Sequence, residues 1–120
     1  MGDEQDAGLQ AVYLVVEPDP LLRADLAETL LYHDSTAAMI VATSANAALP
    51  QIAEVKAIRL ALVACGPCDY AASHLSQMIQ QKGGAVVLMG DRAEDVGEAK
   101  GFRVLHRPFS QTEVLALIGA

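Results

Sequence analysis

Five short apolar runs recur along the chain, and a longer amphipathic or polar stretch separates each run from the next. Runs of this length, rich in β-branched and aliphatic residues, predict buried strands. The predicted strands cover residues 11–16, 37–43, 58–64, 84–90 and 102–106. Because apolar side chains fall on both alternating faces, the strands are typical of a parallel sheet that is covered on both sides.

The stretches between the strands carry helix signals. Leu22, Leu26 and Leu30 recur every fourth residue behind Asp19, a favoured N-cap, and Pro20, which fits the first helical position. Further helices are predicted over about 45–56, from Asp69 to Gly83, in shortened form within 91–100, and from a Ser110–Glu113 capping box to about 118. This alternation predicts an α/β fold with a doubly wound, five-stranded parallel sheet. Functional residues in such sheets follow the carboxyl ends of the strands.

Composition narrows the class of protein. The 120 residues are 52% hydrophobic, which predicts one globular domain over residues 11–120 behind a flexible acidic tail, residues 1–10. A net charge of -7 argues against binding of nucleic acid, which requires Lys and Arg to neutralise phosphates. No apolar run approaches the roughly 20 residues of a membrane span, and the first ten residues lack the features of a signal peptide. We therefore expect a cytoplasmic protein that binds neither membranes nor nucleic acid.

Cys65 and Cys68 enclose Gly66 and Pro67 directly after the third predicted strand, and this spacing is that of a redox dithiol. In that interpretation Cys65 lies at a helix N-terminus, where the helix dipole lowers the pKa of its thiol. Thiol proteins of this class usually carry an aromatic residue before the first cysteine, whereas Ala64 stands here. The alternative is a simple turn with two small thiols. No second close pair of ligands accompanies them, so we predict no metal site.

Four segments, taken in order, resemble the receiver domains of bacterial two-component response regulators. The segments are VYLVVEPDPLLRADLAETL (12–30), RLALVA (59–64), AVVLMG (85–90) and VLHRPFSQTEVLALI (104–118). The resemblance covers nearly the whole chain, from Val12 to Ile118. It implies a flavodoxin-like, CheY-like fold with strand order 2-1-3-4-5 and a role in two-component or phosphorelay signal transduction.

The positions that carry the family's chemistry are altered in this chain. Working receivers hold Mg²⁺ with adjacent acids after strand one, phosphorylate an Asp at the end of strand three, and hold the phosphoryl group with a Ser or Thr and a Lys. Glu17 and Pro18 stand at the positions of the two acids, and Asp19 lies one residue further on. Ala64 stands at the position of the phosphorylated Asp, Gly90 at that of the Ser or Thr, and Arg107 at that of the Lys. The resemblance thus implies a pseudo-receiver with no phosphorylation site, no catalytic residue, and weak or absent Mg²⁺ binding without any other cofactor.

Two expectations follow for this vestigial pocket and for the function. We hypothesise that Arg107 forms an ion pair with Glu17 that closes the pocket, the alternative being that both are solvated charges. We expect a module that is not an enzyme and acts by protein–protein contact, with a histidine kinase, a phosphotransfer protein or an output domain as partner. An interface near the fifth strand and last helix is expected, and a homodimer is possible. The alternative function is a thiol redox protein that uses Cys65 and Cys68.

Overall fold

The computed structural model of the chain describes residues 10–119. The predicted tail, residues 1–10, lies outside the described residues except for Gln10. The elements, in chain order, are β1 (Val12–Val16), α1 (Pro20–His33), β2 (Ala38–Ala42), α2 (Ala45–Ala53), β3 (Leu60–Ala64), α3 (Pro67–Ala71), α4 (His74–Gln81), β4 (Ala85–Met89), a π-helical turn (Ala93–Gly97), a 3₁₀ turn (Glu98–Lys100), β5 (Arg103–Leu105) and α5 (Gln111–Gly119). No helix of this described range is long and apolar enough to cross a membrane.

The five strands form one parallel sheet in the order β2-β1-β3-β4-β5, which confirms the predicted topology. The register aligns the carboxyl ends of the strands: Val16 lies opposite Ala42 on one side and Val63 on the other. Ala64, the last residue of β3, lies opposite Met89, the last residue of β4. The loops after β1, β3, β4 and β5 therefore meet at one edge of the sheet.

Each face of the sheet carries its own apolar core, as the two-sided strands predicted. On one face the buried strand residues pack against α2, α3, α4 and the π-helical turn; these residues are Leu14, Val16, Ala42, Ala61, Val63 and Leu88. On the other face the buried strand residues pack against α1 and α5; these are Tyr13, Val15, Leu60, Leu62, Val87, Met89 and Leu105. Full burial of a leucine or valine of this kind contributes roughly 1.5–3 kcal/mol to folding.

The first and last helices begin where the sequence predicted. The Asp19 carboxylate accepts a hydrogen bond from the N–H of Leu21 at 2.9 Å, and Pro20 occupies the first helical position of α1. At α5 the Glu113 carboxylate accepts from the N–H of Ser110 at 2.9 Å, while the Ser110 hydroxyl accepts from the N–H of Glu113 at 3.2 Å. Both caps satisfy N–H groups that a helix start leaves without partners.

The crossover after β3 differs from its prediction. One helix capped by Asp69 was expected, but two helices, α3 and α4, occupy the stretch. Gly66 is the N-cap of α3 with Pro67 in the first turn, so the helix begins earlier and Asp69 lies inside its first turn. Ser73 separates the helices because its hydroxyl accepts from the N–H of Ser76 at 3.1 Å and so caps a second helix start.

The connection between β4 and β5 holds the predicted shortened helix, wound as a π-helical turn followed by a 3₁₀ turn. Gly97 allows this segment to lie against β5: a Cβ atom added there would lie only 2.6 Å from Cγ2 of Val104. Gly101, with φ 91°, ends the segment, and the N–H of Phe102 donates to the carbonyl of Gly97 at 3.0 Å. The glycines, rather than an apolar stripe, determine this local structure.

Candidate functional site

A cavity of about 440 Å³ opens at the carboxyl edge of the sheet, between the loops that follow β1, β3, β4 and β5. The six positions that the sequence analysis assigned to a vestigial pocket all line it: Glu17, Pro18, Asp19, Ala64, Gly90 and Arg107. Cys65, Asp91 and Arg92 also line it, and Asp91 and Arg92 were not among the predicted site residues. We name this space the carboxyl-edge cavity.

The acids after β1 are engaged within their own loop. Glu17 is only 7% exposed, and its Oε2 accepts a hydrogen bond from the N–H of Asp19 at 2.9 Å. Arg23 supports the same loop by donating from Nη1 to the carbonyl oxygens of Glu17 at 2.8 Å and of Pro18 at 3.3 Å. The Asp19 carboxylate caps α1. The loop is thus ordered by its own polar groups.

The end of β3 brings no carboxylate into the carboxyl-edge cavity. Ala64, half-buried, ends the strand with a methyl group, and the following residue is Cys65. Within residues 10–119, no group of three or more His, Cys, Asp or Glu side chains could hold a metal ion. The lining of the cavity therefore combines the Ala64 methyl group and the Cys65 thiol with charged side chains from the neighbouring loops.

Arg107 does not pair with Glu17, so the expected ion pair is wrong. Its Nε donates to Oε2 of Glu94 at 2.8 Å, and its main-chain N–H donates to the same oxygen at 3.0 Å. Its Nη2 also bonds to the carboxylate of Asp91 and reaches Oε1 of Glu94 at 3.3 Å. The side-chain hydrogen bond from Arg107 lowers the pKa of Glu94, and the bonds to Glu94 and Asp91 raise the pKa of Arg107.

Strand order explains which acids Arg107 meets. Asp91 and Glu94 follow β4, which is hydrogen-bonded to β5, so their loop neighbours that of Arg107. Glu17 follows β1, three strand spacings or about 14 Å across the sheet from β5. Asp91 directly after the fourth predicted strand, and Glu94 three residues further, are the sequence signal that could have identified these partners.

The Cys65 thiol does not have the lowered pKa of a redox nucleophile. Cys65 is partly buried, and burial, followed by the nearby charge of Asp69, raises the pKa of its thiol. The expected lowering of this pKa is therefore wrong; α3 has only five residues, so its dipole is weak. Cys68 is exposed, and both cysteines are free. Burial and the charge of Cys65 raise the pKa of the adjacent Tyr70 to about 12.

Exposed apolar side chains lie away from the expected interface. Among the described residues, the large hydrophobic side chains with the greatest exposure are Leu21 and Tyr32 of α1, at 81% and 87%, followed by Val41 of β2 at 40%. None of them lies on β5 or α5. A protein interface suggested by exposed apolar surface would therefore lie on α1.

Comparisons with known proteins relate the chain by fold. No family model and no curated protein matches the sequence. A response regulator receiver protein from Sinorhizobium medicae WSM419 matches with TM-score 0.66 and 14% identity, covering 92% of each chain. The chemotaxis response regulator CheY4 of Vibrio cholerae matches with TM-score 0.65 and 17% identity over 90% of this chain and 95% of its own. An adenylate cyclase from Rhodopirellula baltica matches with TM-score 0.62 and 20% identity over 92% and 85%. The chain thus has the CheY-like fold found in response regulator receiver domains.

Proposed function

We propose that the chain is a receiver-like signalling domain of a two-component or phosphorelay system that is not phosphorylated and acts by binding a protein partner in the cytoplasm. The observation that carries the proposal is the end of β3, where Ala64 stands in place of an acceptor carboxylate on a CheY-like fold. Without that nucleophile the cavity has no carboxylate at this position to receive a phosphoryl group.

The charges around the carboxyl-edge cavity support the same proposal. A phosphoryl site needs oxygen ligands for Mg²⁺ and a cation that is free to meet the phosphoryl oxygens. The Glu17 carboxylate accepts a hydrogen bond within its own loop, and the Arg107 guanidinium is bonded to Glu94 and to Asp91. An incoming phosphoryl group would have to displace these carboxylates from Arg107. We therefore propose weak or absent Mg²⁺ binding and no enzymatic activity.

Acetyl phosphate with Mg²⁺ tests the phosphorylation part of the proposal. We expect the intact mass of the protein to gain no phosphate, while a working receiver treated in parallel gains one. A phosphate adduct would overturn the proposal. Asp19→Asn and Asp91→Asn variants would then identify the acceptor, since both carboxylates lie at the cavity.

The proposed partner surface is the outer face of α1, formed by Leu21, Asp25, Glu28 and Tyr32, which we name the α1 face. These positions are spaced four, three and four residues apart and therefore share one side of the helix. All four are exposed, and the two apolar ends flank two carboxylates. A partner with apolar contacts around a basic centre fits this arrangement; we propose a histidine kinase, a phosphotransfer protein or an output domain.

Affinity capture from native lysate tests the α1 face. We expect the wild-type chain to retain a protein of one of these three classes, and a Leu21→Ser/Tyr32→Ser variant to lose it. The matched control, Gln111→Ser/Thr112→Ser, changes two exposed residues at the start of α5 and should retain the partner. Circular dichroism checks that both variants fold, and sedimentation reports whether the captured partner is a second copy of the chain. Equal capture by both variants contradicts this interface.

A further inference from the structure

A second cavity, of about 550 Å³, is lined by residues of α3 and α4 and by residues at the amino ends of β4 and β5. We name it the amino-edge cavity; its wall includes Tyr70, Ile79, Gly84, Val86 and Phe102. Its volume falls within the range of sites that bind small molecules. It shares no lining residue with the carboxyl-edge cavity, so it is a separate feature of the molecule.

The aromatic part of the wall is held in place by the core. The rings of Tyr70 and Phe102 meet edge to face, with centroids 5.7 Å apart and planes at 86°. Tyr70 is 4% exposed and Ile79 is 1% exposed, so both are fixed by packing. The N–H of Phe102 donates to the carbonyl of Gly97, which anchors the backbone beside the ring. An aromatic surface held in this way contacts a planar ligand without having to reorganise.

The polar part of the wall is uncharged. Among residues 10–119, those that line the amino-edge cavity include no Lys, Arg, Asp, Glu or His. Ser76 and Gln80 are its polar side chains, apart from the Tyr70 hydroxyl. Ser76 already donates to the carbonyl of Ser73 at 2.9 Å, whereas Gln80 is exposed at the rim. A charged ligand would lose hydration here without meeting an opposite charge, which disfavours its binding.

We propose that the amino-edge cavity binds a small uncharged molecule whose planar ring packs mainly against the half-buried ring of Phe102, which Tyr70 supports from the core, and whose polar edge hydrogen-bonds to Gln80. The site is independent of the proposed signalling function, because none of its residues takes part in the carboxyl-edge cavity or the α1 face. A folded domain that fails the partner test would still carry this site.

Indole is a suitable first probe, since it is planar, neutral and carries one N–H donor. In a titration of ¹⁵N-labelled protein, we expect saturable amide shifts at Gly83, Gly84 and Phe102, with a Kd below about 1 mM. Indole-3-acetate presents the same ring with a carboxylate, and it should bind at least about tenfold more weakly. Absence of saturable shifts, or equal binding of the anion, overturns the proposal.

A pair of neighbouring substitutions localises the binding. Ala71→Leu places a larger side chain in the exposed rim of the cavity and should weaken indole binding at least about tenfold. Ala72, one residue further along, is also exposed but lies outside the lining, so Ala72→Leu should leave the affinity unchanged. Both sites are on the surface, so the variants should fold. Undiminished binding by the Ala71→Leu variant overturns the assignment to this cavity.

Discussion

Two donors of Arg107 converge on one oxygen of Glu94: the guanidinium Nε at 2.8 Å and the main-chain N–H at 3.0 Å. The second of these bonds fixes the backbone of the loop after β5, whereas the first fixes the direction of the side chain. The loop that leads into α5 is therefore fastened to the segment that follows β4. Arg107 is thus held on the β4–β5 side of the carboxyl-edge cavity and not on the β1 side.

A double-mutant cycle tests the interaction between Arg107 and Glu94. Glu94→Gln and Arg107→Met should each lower the free energy of unfolding modestly, because the Arg107 side chain is 48% exposed and the Glu94 side chain 23%, so solvent screens the pair. Their effects should be non-additive, since each change removes the same interaction. Glu17→Gln with Arg107→Met is the control cycle and should be additive. Coupling in the Glu17 cycle together with additivity in the Glu94 cycle would contradict the structure.

The same pair predicts a dependence of stability on pH. Because Arg107 lowers the folded-state pKa of Glu94, the stabilising contribution is present above the ordinary pKa of a glutamate and is lost as the pH falls through the lowered value. The wild-type protein should therefore lose more stability than the Glu94→Gln variant between about pH 5 and about pH 3. Urea unfolding of both proteins across this range measures the difference. Parallel curves would show that Glu94 is not responsible.

Two substitutions of Asp19 test whether its side chain stabilises the protein by capping α1 or by its charge. Asp19→Ala should lower the free energy of unfolding by about 1 kcal/mol, since it leaves the first N–H groups of α1 without the side-chain acceptor. Asp19→Asn keeps an acceptor oxygen and should remain close to wild type. Chemical denaturation in the absence of metal measures both. A loss in the Asn variant as large as in the Ala variant would mean that the charge, not the cap, stabilises the protein.

Substitution of Gly97 should cause a steric clash with Val104, and a second substitution at Val104 should relieve it. Gly97→Ala should destabilise the protein by about 1–3 kcal/mol, because the new methyl group meets Val104 Cγ2. Val104 is β-branched and has few rotamers with which to move aside. In a Val104→Ala background the same substitution should cost less. An equal cost in both backgrounds, measured by urea unfolding, would remove the contact as the cause.

Thiol reactivity separates the signalling proposal from the redox alternative. With its pKa raised by burial, the Cys65 thiol should react more slowly with iodoacetamide at neutral pH than the exposed Cys68 thiol. Cys65→Ser and Cys68→Ser variants, followed by mass spectrometry, assign each rate. Faster reaction at Cys65, together with turnover of a disulfide substrate, would restore the redox interpretation.

Much of the fold could be predicted because its signals are local. The strands follow from apolar runs, and α1 and α5 follow from caps at Asp19 and Ser110 that the structure retains. The break at Ser73 was missed because the apolar residues of α3 and α4 continue across it in one helical register. The winding of 93–100 depends on a tertiary contact between Gly97 and Val104, which periodicity does not encode.

The candidate site was predictable as a set of positions but not as a set of contacts. The resemblance brought Glu17, Ala64 and Arg107 to one cavity, where the structure also places them. Arg107 was paired with Glu17 by analogy, because the matching Lys of a working receiver reaches towards the acidic pocket and Ala64 leaves space there. Lateral distance across the sheet decides the pairing, and it favours the acids that follow the neighbouring strand.

The methyl group of Ala64 at the end of β3 also has a consequence for how long a signal lasts. A domain that carries an acyl phosphate stays in its signalling state until that bond hydrolyses, so the rate of hydrolysis sets the duration of the signal. Under the proposed function, Ala64 leaves this chain without an acyl phosphate whose hydrolysis would end the signal. The duration of its output would then be set by how long a bound complex persists and by how much of the protein the cell makes.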